Sequence, residues 1–459
     1  MANIETKIIS FIILSILTIV FSQFFLHKVK HSVKIYFTLL ILLIPFSTYR
    51  FLAISLLSHE WYRGTSRGFQ ISIIDLMSLS LFIYYLTKVN ILYLLKKLAT
   101  DRCLILYILF IINAVIVSLQ SEYFTLSLFE LLTTSRSLLL MFVTIIYVSD
   151  KKNIRYLLFA FFLSLATQVF IGIFDRYFFG HHRIEAFLGH ANNFSMFCLI
   201  IGSYSLILIY KLKNQRWKLL SSLSFILALI GIILSISRMG FLAILFAMVL
   251  CVFLYTTKYH FMKRRNVVIV ILGFSLFSSI LFKSADSISS RLLASDITQE
   301  FNTENTEYHG RHVYFTYTKY ILSEKPYGVG LNKYSKWLSS SKKYGATPFK
   351  KKKHAFHSIY APAHNLFFLT ASETGLQGLL LYLLFWSALF FTILKKNITQ
   401  INHPTAIICQ LTFIPLAIIF INNGSEYILR EVKLSYIFHM ILAIIFTANI
   451  IHKEHLAKS

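Results

Sequence analysis

The sequence predicts an all-α polytopic integral membrane protein with twelve or thirteen transmembrane helices and one long external loop containing short helices. Three observations predict it. First, 56% of the 459 residues are hydrophobic and only 14% charged, with a mean hydropathy of +0.66, whereas a soluble chain carries about a quarter charged residues. Second, apolar runs near twenty residues recur from end to end, the length that crosses a hydrocarbon core of about 30 Å. Third, the cations gather in alternate short loops. A membrane β-barrel would instead show short alternating segments.

Candidate spans are 8–26, 35–57, 71–87, 103–119, 127–149, 156–179, 192–210, 219–236, 239–257, 266–282, 376–394, 405–422 and 434–451. The first run is too long for a signal-peptide core, and only HKVKH follows it, so it reads as a retained span. Three regions follow from the pattern. Residues 1–282 form an N-terminal transmembrane bundle, 283–365 a large periplasmic loop, and 366–459 the C-terminal transmembrane helices.

The formal net charge of +26 raises nucleic acid as a partner. The cations sit mostly in short loops between spans, however, which makes their role topological and leaves membrane lipids, not nucleic acid, as the surroundings. Lys28, Lys30 and Lys34 occupy one such loop, Lys151, Lys152 and Arg155 another, and the loop at Glu122 has none. The basic set is cytoplasmic by the positive-inside rule, which puts the long loop outside. That loop is basic too, but loops beyond about 60 residues translocate largely regardless of charge. The four cysteines are scattered through apolar spans without metal-ligand or disulfide spacing.

Arg50, Asp75, Glu130, Arg136, Gln168, Asp175, Arg176 and Arg238 fall at membrane depth. An Arg or Asp at a helix centre costs about 2.5–3.5 kcal/mol on insertion scales. These residues are therefore expected to face the bundle interior, a cavity or the interface, with Arg50 and Arg136 pairing with Asp75 and Glu130. In the long loop, HVYFTYTKYILSE (312–324) sets Val313, Tyr317 and Tyr320 at helical spacing, Pro326 ends the helix, and YGVGLNKY reads as a glycine turn.

Four groups of residues are candidates for chemistry. Arg238 and Arg311 are permanently charged, bidentate groups suited to phosphate oxygens. Each also has a plainer reading, as an interfacial arginine and a surface arginine. His364, beside Asn365 where the loop returns to the membrane, carries an imidazole able to take a proton near pH 7. His181, His182, His190, His354 and His357 are external as well, and spacing alone does not choose among them, nor does it match a metal motif. The run Lys350, Lys351, Lys352 and Lys353 is either a solvated basic surface or an attractor of anionic headgroups or glycans.

Four stretches resemble the O-antigen ligase and O-antigen polymerase family of bacterial envelope glycosyltransferases. RIEAFLGHANNFS (183–195) is similar to an external stretch of that family, and SRMGFLA (237–243) to its Ser-Arg-x-Gly helix start. GRHVYFTYTKYILSEKPYGVGLNKY (310–334) resembles its Gly-Arg, aromatic helix, Pro and Gly-x-Gly, and HNLFFLTASETGLQG (364–378) its His-Asn followed by Glu-x-Gly-x-x-Gly. The thirteenth span and the four-lysine run depart from the family.

The resemblance implies transfer of a glycan from undecaprenyl pyrophosphate to an acceptor hydroxyl, without a metal, cofactor or nucleotide sugar, at the periplasmic face of the inner membrane. It implies that Arg238 and Arg311 hold the pyrophosphate, that His364 acts on the acceptor hydroxyl, and that Asn365 lies in the substrate site. Ligation onto lipid A–core and polymerisation onto a growing glycan share these motifs. The basic loop, which suits a phosphorylated acceptor, favours the ligase. A polytopic transporter is the reading from another class, but the chain shows no internal repeat and its motifs cluster at one face.

The orientation is directly testable. Ser340→Cys in the long loop is expected to react with a membrane-impermeant maleimide in cells whose inner membrane is intact. Reaction only after that membrane is permeabilised would reverse the topology.

Overall fold

The computed structural model describes residues 4–49, 52–58, 62–256, 312–341, 361–399 and 404–456. The expected span 266–282, together with Arg50, Arg311 and Lys350 to Lys353, lies outside the described residues. Among those described, seven helices are long and apolar enough to cross a membrane. The chain groups into two compact units, residues 1–157, 302–409 and 423–459 in the first and 158–301 with 410–422 in the second.

The first unit opens with α1 (Ile4–Lys28) and α2 (Ser32–Leu43), whose last turn tightens into a 3-10 turn at Ile44–Phe46. The expected span 35–57 is not one helix. It stops at Phe46 and gives way to an antiparallel hairpin of β1 (Ala53–Ser58) and β2 (Gly68–Ser72). Apolar length alone does not distinguish a span from a short helix followed by a strand. The β2 register ends at Ser72, which begins α3 (Ile73–Leu86) with a capping box. The Ser72 N–H and hydroxyl both donate to Asp75 Oδ2, at 2.7 and 2.9 Å.

The helix α4 (Ile91–Leu98) turns by 109° from α3. The unit continues with α5 (Arg102–Leu119), capped by Asp101 on the N–H groups of Cys103 and Leu104, and with α6 (Phe124–Ser149). Later in the chain come α11 (His312–Glu324), α12 (Tyr334–Ser340), α13 (Leu366–Thr399) and α15 (Val432–Leu456). Helix α11 spans the residues its periodicity predicts and buries Val313, Tyr317 and Ile321. Trp386 of α13 packs on Phe438 of α15 at 5.7 Å in the core. By contrast Leu17 and Phe21 of α1 are 58% and 70% exposed, as a lipid-facing stripe requires.

The second unit contains most of α7 (Asn153–Tyr177), with α8 (Ala191–Lys211), α9 (Gln215–Ser235), α10 (Arg238–Thr256) and most of α14 (Pro404–Asn422). Buried Gln168 accepts the Phe187 N–H at 3.1 Å, which satisfies its amide oxygen. Gly240 lies where a side chain would strike Ser195 Oγ, so its lack of one lets α10 pack on α8 there.

Asp75, Glu130 and Arg136 are paired inside the first unit. Arg136 meets Asp75 at 3.1 Å, as expected, and Tyr436 donates to the other oxygen of Asp75 at 2.5 Å. Glu130 departs from expectation. Its partner is Arg430, just ahead of α15, and the same guanidinium reaches Glu373 of α13, both at 3.0 Å. Arg430 was invisible in the sequence as a partner because 300 residues separate it from Glu130.

Removing one member of such a buried group leaves an uncompensated charge, at a cost of about 3–5 kcal/mol. Arg430→Met is therefore expected to lower the thermal unfolding midpoint of the purified protein sharply. Adding Glu130→Gln and Glu373→Gln should recover much of the loss. An Arg430→Met single variant as stable as wild type would contradict this account.

Candidate functional site

The site is built where the long loop rejoins α13. Gly328 (φ +92°) and Gly375 (φ +75°) lie back to back, and a side chain on either would come within 2.5 Å of the other segment's backbone. That contact lets Val329 and Gly330 donate their N–H groups to the carbonyls of Ser372 and Glu373, at 3.0 and 2.9 Å. Gly375 breaks the helical geometry of α13 at that point. The Glu373 carboxylate, besides gripping Arg430, accepts the backbone N–H groups of Asn332 and Tyr334.

Asn332 completes the lock. Its amide donates to the carbonyls of Ser66 and Leu126, and its Oδ1 accepts from Ser66 N–H and the Thr65 hydroxyl. Tyr62 donates to the Asn332 carbonyl. The hairpin, the start of α6, the glycine turn and the top of α13 are thereby fixed to one another at one end of the first unit.

His364 stands at that end, one residue before Asn365. Its Nδ1 is 2.7 Å from Glu426 Oε2. The imidazole side chain is 38% exposed and Glu426 only 16%, so the carboxylate sits behind the ring and the ring faces outward. Tyr314 of α11 and Tyr427 flank it, with ring centroids 5.9 and 5.3 Å away. Asn365 caps α13 by accepting the Phe368 N–H at 3.0 Å, and its amide holds the Gly424 carbonyl at 2.7 Å. The Leu366 N–H donates to the Asn423 carbonyl at 2.7 Å. The two segments that carry His364 and Glu426 are thus stapled together by backbone contacts.

A carboxylate against Nδ1 makes that nitrogen the donor. It leaves the Nε2 lone pair to accept a proton from something outside. Arg67, on the hairpin, is within electrostatic reach of Tyr427 and of Glu431, adding a guanidinium to this neighbourhood. Neither Glu426 nor Arg67 was singled out in the sequence. Glu426 lies 62 residues beyond His364 in a short turn with no motif around it.

Arg238 belongs to the second unit, where it heads α10 directly after Ile236 (φ +48°) and Ser237. Near it, Arg183 donates to Asn192 Oδ1 at 2.6 Å, and Ser237 reaches the same oxygen at 3.4 Å. His190 caps α8 by accepting the Asn192 N–H. The two motif stretches 183–195 and 237–243 therefore converge in space, and Arg183 joins Arg238 as a cation of that end. Arg311 immediately precedes the described part of α11.

Residues 223–383 match the family described as O-antigen ligase. Within that stretch the chain is similar to the O-antigen ligase family. The matched stretch holds Arg238, Arg311, the four lysines, His364 and Asn365, and it stops short of Glu426 and Arg430. No curated protein sequence matches the chain. The description of that family names a ligase of O-antigen.

The His364–Glu426 pair makes a specific prediction for such an activity. Glu426→Gln keeps a side chain of the same reach but removes the charge. It should lower kcat by about 10²–10⁴ with little change in KM for the lipid-linked donor. An unchanged kcat would reduce Glu426 to a packing role.

Proposed function

We propose that this protein is an O-antigen ligase-type glycosyltransferase, moving a glycan from undecaprenyl pyrophosphate to a hydroxyl of lipid A–core at the periplasmic face of the inner membrane. The observation that carries the proposal is His364. It lies within the O-antigen ligase match, it is outward-facing, and it is held in one tautomer by Glu426.

The chemistry runs as a single displacement. The acceptor O–H gives its proton to His364 Nε2 while its oxygen attacks the anomeric carbon. The bond from that carbon to the pyrophosphate oxygen breaks, and undecaprenyl pyrophosphate leaves with the electron pair. Attack from the face opposite the leaving group inverts the anomeric centre. Glu426 stabilises the imidazolium that forms, as a carboxylate behind a catalytic imidazole does in general. The departing diphosphate gains negative charge, and guanidiniums fixed on it stabilise that charge more in the transition state than in the ground state. Arg238 and Arg311 are the residues assigned to this role, and their permanent charge lets the reaction proceed without a metal ion.

Two experiments test the reading. In purified protein supplied with undecaprenyl-pyrophosphate-linked glycan and acceptor in EDTA, His364→Gln should lose transfer by about 10²–10⁴ while donor binding persists. Wild-type turnover in His364→Gln would remove the residue from the chemistry. Deletion of the gene should strip the ladder from lipid A–core while lipid-linked polymer accumulates. Loss of long chains with one repeat retained would instead identify a polymerase.

A further inference from the structure

Between the turn joining α5 to α6 and the pair α11–α12 lies an open cleft of about 900 Å³, within the first unit and away from His364. We propose that this cleft is a subsite for an acidic sugar of the glycan, with Lys333 receiving the sugar carboxylate. The proposal rests on the glycan-transfer reading and adds a substrate class to it.

Lys333 is the unusual group. It is only 3% exposed, yet it lines the cleft. Its ammonium donates to Ser121 Oγ at 2.5 Å, and among the described residues no carboxylate lies within ion-pair distance. An ammonium has three donors, so two remain for a ligand in the cleft. Burying a cation without an anionic partner is costly, and the cost is recovered when an anion arrives. Burial accordingly pushes the Lys333 ammonium down to about 8, with Glu122 opposing the shift. The group is therefore charged at neutral pH but loses its proton far earlier than an ordinary lysine.

The rest of the wall suits a saccharide. Trp337 and Tyr320 lie 5.3 Å apart, and Tyr123 and Tyr327 are 55% and 73% exposed. Sugar rings combine a C–H face, which stacks on aromatic faces, with a rim of hydroxyls. Glu122 from the α5–α6 turn and Glu324 from α11 offer acceptors for those hydroxyls. Lys325 and Lys336 add positive charge at the cleft, Lys336 standing 4.8 Å over the Tyr123 ring. Helix α11 links the two places, since Tyr314 touches His364 and Tyr320 lines the cleft. Six residues of helix separate them by about 9 Å at 1.5 Å per residue. The proposed subsite would take a sugar of the glycan remote from the one reacting at His364.

The test uses full-length His364→Gln protein in nanodiscs of zwitterionic lipid, so that binding is read without turnover. The probes are a galacturonic acid trisaccharide, a neutral trisaccharide of the same linkage, and inorganic pyrophosphate, each measured by calorimetry. The acidic trisaccharide should bind about tenfold more weakly after Lys333→Met, as loss of one charged hydrogen bond entails. Lys333→Arg should retain part of the affinity, and the neutral sugar should not respond to either change. Affinity for the acidic sugar should fall as pH rises through about 8. Should Lys333→Met unfold, Lys333→Arg and the pH series carry the test. Equal binding of acidic and neutral sugars would overturn the proposal. So would pyrophosphate binding that depends on Lys333 while the acidic sugar does not, since that marks a phosphate site. A wild-type protein that transfers glycan yet shows no Lys333-dependent binding loses only the subsite. A protein that binds the acidic sugar but transfers nothing loses only the transfer reading.

Discussion

Arg430 reaches Glu130 on α6 and Glu373 on α13, each at 3.0 Å, with about a tenth of its side chain exposed. Three charges taken out of water in this way are weak evidence of net stability, because desolvation opposes attraction. Their consequence is positional. Glu373 is oriented by Arg430, and its carboxylate then collects the N–H groups of Asn332 and Tyr334. Asn332 in turn ties down the hairpin through Ser66 and α6 through Leu126. The chain of dependence runs from one guanidinium to the place where α13 begins, and the imidazole of His364 sits at that beginning. An apolar trio in place of Arg430, Glu130 and Glu373 could pack as well, but it would fix none of these directions.

The glycines of the long loop and of α13 acquire a physical meaning from the same contact. Gly-x-Gly at 328–330 and Glu-x-Gly-x-x-Gly at 373–378 carry the family resemblance, and a motif tempts a catalytic reading of each member. Gly328 and Gly375 have a packing explanation instead. They permit two backbones to meet closer than any side chain allows, in a conformation that side chains disfavour. Glu373 likewise serves the framework, being 1% exposed and occupied by Arg430 and two amides. Within the motif HNLFFLTASETGLQG only His364 faces outward with a free ring nitrogen to offer.

Much of this was legible from residue types. Long apolar runs became helices because burial or lipid demands it and because the backbone must satisfy itself within the run. Arg136 and Asp75 were readable as a pair since each charge at that depth needs one. The helix at 312–324 followed from its spacing. The hairpin was not legible, because residues 35–57 are mostly apolar and the breaks at Pro45, Ser47 and Arg50 are ones that a membrane span tolerates. The Glu426 and Arg430 contacts were not legible for a different reason. They join residues 62 and 300 positions from their partners, and only the fold supplies such proximity. Lys333 looked like one more residue of a glycine turn until its burial set it apart from lysines such as exposed Lys325.

Two kinds of polar residue therefore coexist at this end of the first unit, and burial with partner count tells them apart. Arg430, Glu373 and Asn332 are buried and occupied by hydrogen-bonding partners within the chain. Changing them should be felt first as a loss of structure. His364 and Lys333 each present donors or acceptors that their protein partners leave over, the first in an exposed ring and the second in a buried ammonium. A polar group held rigid and incompletely used is in the state that binding or proton transfer requires, since its reorganisation is complete before the ligand arrives. In the proposed function the framework charges supply the rigidity and the two remaining groups supply the chemistry. A charge network joining residues 300 positions apart then supports a reaction in which it takes no direct part.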